Sequence, residues 1–183
     1  MIFRPLVIPD VVLIEPQVFG DDRGFFLETW SSQKFAEAGI PTSFVQDNWS
    51  RSTRGVLRGL HFQSEHTQGK LVRCVRGEVF DVAVDIRRSS PFFGRWVGQV
   101  LSEENKIAMW VPPGFAHGFL TLSDVADFQY KCSDVYHPQS EKTISWDDPE
   151  IAIDWPLSPG LSVQLSDKDV QRAESIADSE CLE

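Results

Sequence analysis

Short runs in which apolar and polar residues alternate at every second position dominate this chain and constrain it more than any other feature. A period of two marks a strand with one buried face. Runs of this kind, or short continuous apolar ones, occupy 11–15, 25–30, 71–75, 79–86, 96–101, 107–111 and 119–122. Turn formers separate them: Gly20-Asp21-Asp22, Gly77-Glu78, Ser89-Ser90-Pro91 and Pro112-Pro113-Gly114. Within 79–86, Val79, Asp81, Ala83 and Asp85 share one face while Phe80, Val82, Val84 and Ile86 share the other. One face is therefore expected to meet the core and the other something polar. Only 32–38, stopped by Gly39, and 168–177 read as helix. Many short strands with two minor helices predict an all-β sandwich or barrel.

The 183 residues have the length of one domain, and no linker, repeat or low-complexity stretch divides them. The chain reads as a single domain over 1–177 with an acidic, frayed tail over 178–183. With 42% hydrophobic and 24% charged residues, disorder is disfavoured. No apolar run approaches the roughly 20 residues a bilayer requires, so no membrane span is expected. The first residues lack the pattern of a secretory signal, so the expected location is cytoplasmic. Cys74, Cys132 and Cys181 are odd in number and widely spaced, which fits reduced thiols rather than a disulfide framework or zinc ribbon. A net charge of −10 argues against a nucleic-acid partner, whose phosphates need a basic footprint. The charge is uneven, however. Over 51–76 the residues Arg51, Arg54, Arg58, Lys70, Arg73 and Arg76 face a single acid, Glu65, an island suited to a compact anion.

Several catalytic signatures are missing: no glycine-rich dinucleotide or phosphate loop, and no Gly-x-Ser-x-Gly elbow. His61 and His117 each stand alone, without His-x-His or His-Glu-x-x-His, so no metal is expected. His61 lies in 56–63 (VLRGLHFQ), where strict alternation puts Arg58, Leu60 and Phe62 opposite Leu57, Gly59, His61 and Gln63. A lone strand histidine is more often a packing residue. Here Gly59 leaves room for a ligand beside a titratable ring, and Arg58 adds charge. His117, in 113–119 (PGFAHGF), is equally readable as a structural loop residue. Tyr130 and Tyr136 could simply bond buried carbonyls, Lys70 could be solvated, and Asp169 could serve only a helix N-terminus.

Taken together and in order, these segments carry a resemblance. They are 19–26 (FGDDRGFF) with Glu28, Gln46-Asp47-Asn48, VLRGLHFQ, 69–73 (GKLVR), 81–87 (DVAVDIR), PGFAHGF, Tyr130, Glu141 and 165–169 (LSDKD). The chain resembles the dTDP-4-dehydrorhamnose 3,5-epimerase family of the cupin superfamily over about 8–169. The resemblance implies a jelly-roll barrel that dimerises by sharing N-terminal strands, a dTDP-sugar substrate, and catalysis with no metal or organic cofactor. It implies that His61 is the base, Asp169 its carboxylate partner, Tyr130 the opposing acid, and Lys70 the group beside the sugar carbonyl. Arg23, Glu28, Gln46, Asn48, Arg58, His117, Glu141 and Lys168 match substrate-holding positions, Arg23 and Glu28 reaching the site from the partner subunit. The stretch 132–135 (CSDV) departs from the more aromatic pattern of some members, leaving Phe19, Phe26 and Tyr136 as candidates to stack on thymine.

The implied chemistry suits these residue types. Hydrogens on carbons 3 and 5 of a 4-keto sugar flank the carbonyl, so a base can remove either and leave an enolate. Inversion requires the proton to return on the other face. A histidine oriented by a carboxylate is such a base, a lysine can meet charge at the carbonyl oxygen, and a protonated tyrosine can donate. Arginine forks suit a diphosphate. Two rival readings fit the same residues less fully: an epimerase confined to carbon 3, and a sugar-nucleotide-binding cupin without catalysis, which would need no opposed base and acid.

Overall fold

The computed structural model describes residues 1–40 and 43–183. Two six-stranded sheets face each other. The first runs β1 (Ile2–Pro5), β2 (Val12–Glu15), β10 (Ala108–Val111), β7 (Lys70–Arg76), β12 (Val125–Cys132) and β5 (Gln46–Thr53). The second runs β14 (Ala173–Glu174), β13 (Glu141–Ile144), β6 (Leu57–Gln63), β11 (Phe115–Thr121), β8 (Glu78–Asp85) and β9 (Trp96–Ser102). All pairings are antiparallel except β13 with β14, and the order of strands within each sheet is a jelly roll. A separate hairpin, β3 (Val18–Asp21) and β4 (Gly24–Leu27), stands off the body with Phe19, Phe25 and Phe26 exposed. Among the described residues no helix is long and apolar enough to cross a membrane.

Alternation decides what lies between the sheets. Val72 and Cys74 of β7, Ala126 and Phe128 of β12, Phe115 and Phe119 of β11, and Val79 and Ala83 of β8 form one buried cluster there. The opposite face of β8 (Phe80, Val82, Val84) packs outward under Trp155, Ile151 and Ile176 from the C-terminal third. Both faces of this strand are thus buried, and its polar face, with Asp81 and Asp85, looks into the barrel rather than into water.

Helix α1 (Ser32–Glu37) begins where the Ser31 hydroxyl accepts from the Lys34 N–H, and ends at Gly39, whose φ of +74° reverses the chain. It places Phe35 against Leu71 and Trp110 on the outer face of the first sheet. Helix α2 (Asp167–Arg172) starts similarly, with the Ser166 hydroxyl accepting from the Asp169 N–H at 3.1 Å. It stops five residues short of the expected 177. Ala173 and Glu174 pair with the edge of β13 instead, and Ile176 is driven into the outer core. Tertiary pairing overrides a weak local helix preference here.

The expectation of a frayed end over 178–183 is corrected. Leu182 exchanges backbone bonds with Ile86 and Arg88 at 3.1 and 2.7 Å, and Ser179 is buried. Six strands, β1, β3, β5, β12, β13 and β14, lie outside the expected runs. In β5 the inward Gln46, Asn48, Ser50 and Ser52 oppose Asp47, Trp49, Arg51 and Thr53, so no apolar face announces it. By contrast β12 does alternate, with Ala126, Phe128, Tyr130 and Cys132 on its inner face, and was legible in principle. The run expected over 25–30 ends at Leu27, in the exposed hairpin.

Candidate active site

Toward one end of the barrel the inward positions change from apolar to polar. On β12 the inner series passes from Phe128 to Tyr130, and on β7 from Val72 to Lys70, while β5 contributes Asn48 and Gln46. Register places Tyr130 opposite both Asn48 and Val72, and Cys132 opposite Lys70. From the other sheet, β6 supplies His61 and Gln63, and β13 supplies Glu141 opposite Gln63. The result is a cavity of about 270 Å³ lined by His61, Lys70, Tyr130, Tyr136, Glu141, Gln46, Asn48, Gln63 and Gln68. Two larger clefts, of about 530 and 860 Å³, hold neither a histidine nor a tyrosine, although the first is lined by Arg73, Glu103, Glu104 and Lys106. The first lies beneath the hairpin and includes Phe25 and Phe26; the second lies among Phe92, Phe93 and Trp96.

One local irregularity makes the site. Between β6 and β11 the partners step from His117–His61 to Phe119–Arg58, so β6 spends one more residue than β11. This β-bulge resets the alternation. Leu57, Leu60 and Phe62 all pack into the outer core, which leaves Arg58 and His61 together on the inner side. Strict alternation had assigned them to opposite faces. Gly59 sits at the bulge with φ +122°, and a Cβ there would lie 2.6 Å from Gly118 Cα, so the two strands approach through paired glycines.

His61 Nε2 is 2.5 Å from Asp169 Oδ1. Because an ionised carboxylate only accepts, the Nε2 proton points to Asp169 and Nδ1 is left as the basic nitrogen. Burial tends to push the Asp169 carboxyl up, but the bond from His61 and the Ser166 hydroxyl outweigh it and hold the group below its ordinary range. Opposing them, burial raises the Tyr130 phenol above its usual pKa, helped by Cys132 and Glu141 and resisted by Arg58. The phenol therefore stays protonated at neutral pH. Lys70 is not the solvated lysine of the simpler reading: it is half-buried and faces inward, and burial lowers its pKa against the pull of Cys132, Asp81 and Glu141.

A second dyad lies deeper. His117 belongs to β11 rather than to a loop, and its Nε2 stands 3.0 Å from both oxygens of Asp81. Both residues are buried, and His117 stacks on Phe128 with ring centroids 6.2 Å apart. Burial pushes the Asp81 carboxyl up, against the stabilising charges of His117 and Lys70. At the mouth, the Tyr136 hydroxyl donates to Glu141 Oε2 at 2.9 Å, and Lys168 Nζ bonds the same oxygen. These partners hold the Glu141 carboxyl below its ordinary range despite its partial burial.

Of the expected residues, the fold brings His61, Lys70, Tyr130, Gln46, Asn48, Glu141 and Tyr136 to one cavity. Asp169 and Lys168 join through His61 and Glu141, and Arg58 lies beside it, its Nε donating to Ser52 Oγ at 3.0 Å. Arg23 and Glu28 are not there: Arg23 pairs with Asp21 and Glu28 with Lys34, on and just after the exposed hairpin. Phe19 and Phe26 are likewise remote from it. Part of the basic island is neutralised, Arg51 by Asp127 and Arg54 by Asp124. Among the described residues Arg58 and Lys70 form no ion pair. Asp81, Gln63 and Gln68 were missed; Asp81 was readable as a charge in an apolar run, while the glutamines carry no signal of their own. Among the described residues, no three His, Cys, Asp or Glu side chains gather as a metal site would require.

A jelly roll that encloses a carboxylate-oriented histidine, a tyrosine and a lysine in one cavity defines a cupin-like protein built for proton transfer. Comparison with known proteins narrows this. The family model described as dTDP-4-dehydrorhamnose 3,5-epimerase matches residues 5–177, and the chain belongs to that family. The dTDP-4-dehydrorhamnose 3,5-epimerase of Pseudomonas aeruginosa is 60% identical over 178 residues, 97% of each chain. That of Escherichia coli is 60% identical over 163 residues, 88% of each chain. Among solved structures, a dTDP-6-deoxy-D-glucose-3,5-epimerase from Legionella pneumophila in complex with dTDP-4-keto-L-rhamnose superposes with a TM-score of 0.92 at 56% identity, covering 96% of this chain and 93% of that one. A 3'-monoepimerase from Streptomyces bikiniensis in complex with dTDP-quinovose superposes with a TM-score of 0.89 at 35% identity, covering 97% and 89%.

Proposed function

We propose that this protein is an isomerase that epimerises dTDP-4-keto-6-deoxy-D-glucose at carbon 3 and carbon 5, giving dTDP-4-keto-L-rhamnose. The observation that carries the reading is the 2.5 Å contact of His61 with Asp169 in a cavity shared with Tyr130 and Lys70. His61 Nδ1 removes a proton from a carbon beside the ketone, and the electron pair passes into an enolate. Asp169 stabilises the imidazolium so formed, and Lys70 meets the charge growing on the carbonyl oxygen. Tyr130 returns a proton from the opposite face; His61 then yields its proton to solvent and Tyr130 regains one, so the net change is inversion. The same steps serve the second carbon.

Arg58, Gln46, Asn48, His117, Glu141 and Lys168 hold the nucleotide sugar in this reading, with Tyr136 stacking on the base because it alone of the aromatic candidates lines the cavity. Arg23 and Glu28 act on the site of a partner subunit in a strand-sharing homodimer. The exposed Phe19, Phe25 and Phe26 of their hairpin support this, since apolar surface of that kind is normally covered. The protein acts in the cytoplasm on a soluble substrate, without a metal or organic cofactor. Action at both carbons is favoured over carbon 3 alone because relatives at 60% identity are 3,5-epimerases, whereas the 3'-monoepimerase stands at 35%. Incubation with the 4-keto sugar in deuterium oxide tests the reading: NMR should find deuterium at both carbons. Label at carbon 3 only would replace it with the monoepimerase, and no label at either carbon with a binding protein.

A further inference from the structure

We infer that Gln63 is a positioning residue that ties two rim segments of the cavity together and thereby sets where Tyr136 stands. Gln63 is buried at the end of β6, two residues beyond His61. Its amide is spent on backbone. Oε1 accepts from the His137 N–H at 2.8 Å, while Nε2 donates to the His66 carbonyl at 2.6 Å and to the Val135 carbonyl at 3.3 Å. From the opposite sheet, Gln46 Oε1 accepts from the Tyr136 N–H at 2.9 Å. Three successive residues, Val135, Tyr136 and His137, are therefore gripped through their backbone by two glutamines that reach them from opposite walls.

The grip matters because the Tyr136 side chain is 45% exposed and little packing fixes it. Its remaining restraints are the hydroxyl bond to Glu141 and the Lys168 ammonium, which donates to the same hydroxyl at 3.4 Å and lies 5.9 Å from the ring centroid. The near end of the rim is secured separately: Gly69 and Ser133 exchange bonds of 2.8 and 2.9 Å, and Gln68 Nε2 donates to the Asp134 carbonyl. At the far end His137 is also bonded to Ser140 and lies against His66, but the backbone N–H groups of Tyr136 and His137 are held by Gln46 and Gln63. A group that donates twice and accepts once here must be an amide, since a carboxylate would face two carbonyls and a leucine would orphan all three partners.

The inference rests on the proposed nucleotide-sugar reading, with Tyr136 contacting the base. Its test is a double-mutant cycle of Gln63→Leu and Tyr136→Ala in the full chain, read by dTDP affinity in calorimetry and by kcat and KM with the 4-keto sugar. Losing a base-stacking contact weakens binding by roughly tenfold or more. Gln63→Leu is expected to raise KM and the dTDP Kd about tenfold with kcat within about threefold, as expected when only uniform binding is lost. On the Tyr136→Ala background it should add less than about twofold. Equal effects in both backgrounds, or a fall in kcat with KM unchanged, would overturn the assignment. Gln63→Glu keeps the shape and the acceptor for His137, and carries the same cycle if the leucine variant does not fold. Wild-type protein that binds dTDP yet inverts nothing would sink the epimerase reading alone, leaving the affinity cycle to judge Gln63.

Discussion

Replacing Tyr130 by Phe removes one oxygen from the wall of the cavity and leaves the rest of the ring in place. The ring packs against the inter-sheet core and against Phe128, with centroids 6.1 Å apart. Among the described residues its hydroxyl has no hydrogen-bond partner, so the substitution orphans nothing. Stability should change by no more than about 0.5 kcal/mol. Catalysis should suffer far more. A positioned acid contributes roughly 100- to 10,000-fold, which is about 2.7–5.4 kcal/mol on the barrier at about 1.36 kcal/mol per tenfold. The loss should fall on inversion and spare exchange, because His61 can still lift a proton and return a solvent-derived one to the same face. In deuterium oxide, NMR should show wash-in at carbons 3 and 5 outlasting epimerised product, which drops at least about 100-fold. His61→Ala, in contrast, should abolish exchange and inversion together. If Tyr130→Phe inverts both centres at a near wild-type rate, the phenol is a packing group and the acid lies elsewhere. If exchange and inversion fall in parallel, the two-face argument itself is wrong.

Other predictions concern stability, chemistry and assembly. Asp85 is fully buried and accepts from the Arg87 guanidinium at 2.6 and 2.9 Å, the Arg87 N–H and the Ser90 hydroxyl. Burial would raise its pKa, but these donors outweigh that and lower it, so its stabilisation is present above the ordinary carboxylate pKa and is lost as pH falls through the lower folded value. Asp85→Asn should cost about 3–5 kcal/mol at pH 7 in urea unfolding, the cost of breaking a buried pair, and the gap to wild type should narrow below about pH 4; a gap constant down to the acid limit would contradict the assignment. Activity should survive prolonged chelation, whereas loss on chelation with recovery on adding one divalent ion would overturn the role given to Lys70. Ultracentrifugation should find about twice the 20.7 kDa chain mass, and a fully active monomer would refute the shared site.

Much of this protein can be read from its sequence, because the hydrophobic period and the turn residues act locally. The runs at 71–75, 79–86, 96–101 and 107–111 all lie within or beside observed strands, and the ordered motifs from FGDDRGFF to LSDKD identify the family. Where a strand turns polar residues inward, as β5 does, that signal vanishes, since the pattern depends on one face being apolar. Other features are fixed only by long-range contact. Asp169 is 108 residues from His61 in sequence, and only the packing of α2 against β13, the neighbour of β6, makes them a dyad. The same holds for the C-terminal residues, which read as loose yet pair with Ile86 and Arg88. The bulge at Gly59 is the sharpest case. Alternation along β6 sends Arg58 and His61 to opposite sides, and it is the mismatch of length against β11, with two glycines allowing the strands to close, that turns both toward the cavity. The sequence by itself determined the family, most of the strands and most of the reactive groups. Which of those groups face one another was decided by the tertiary structure, because register and strand offset are set jointly by two strands and are a property of neither alone.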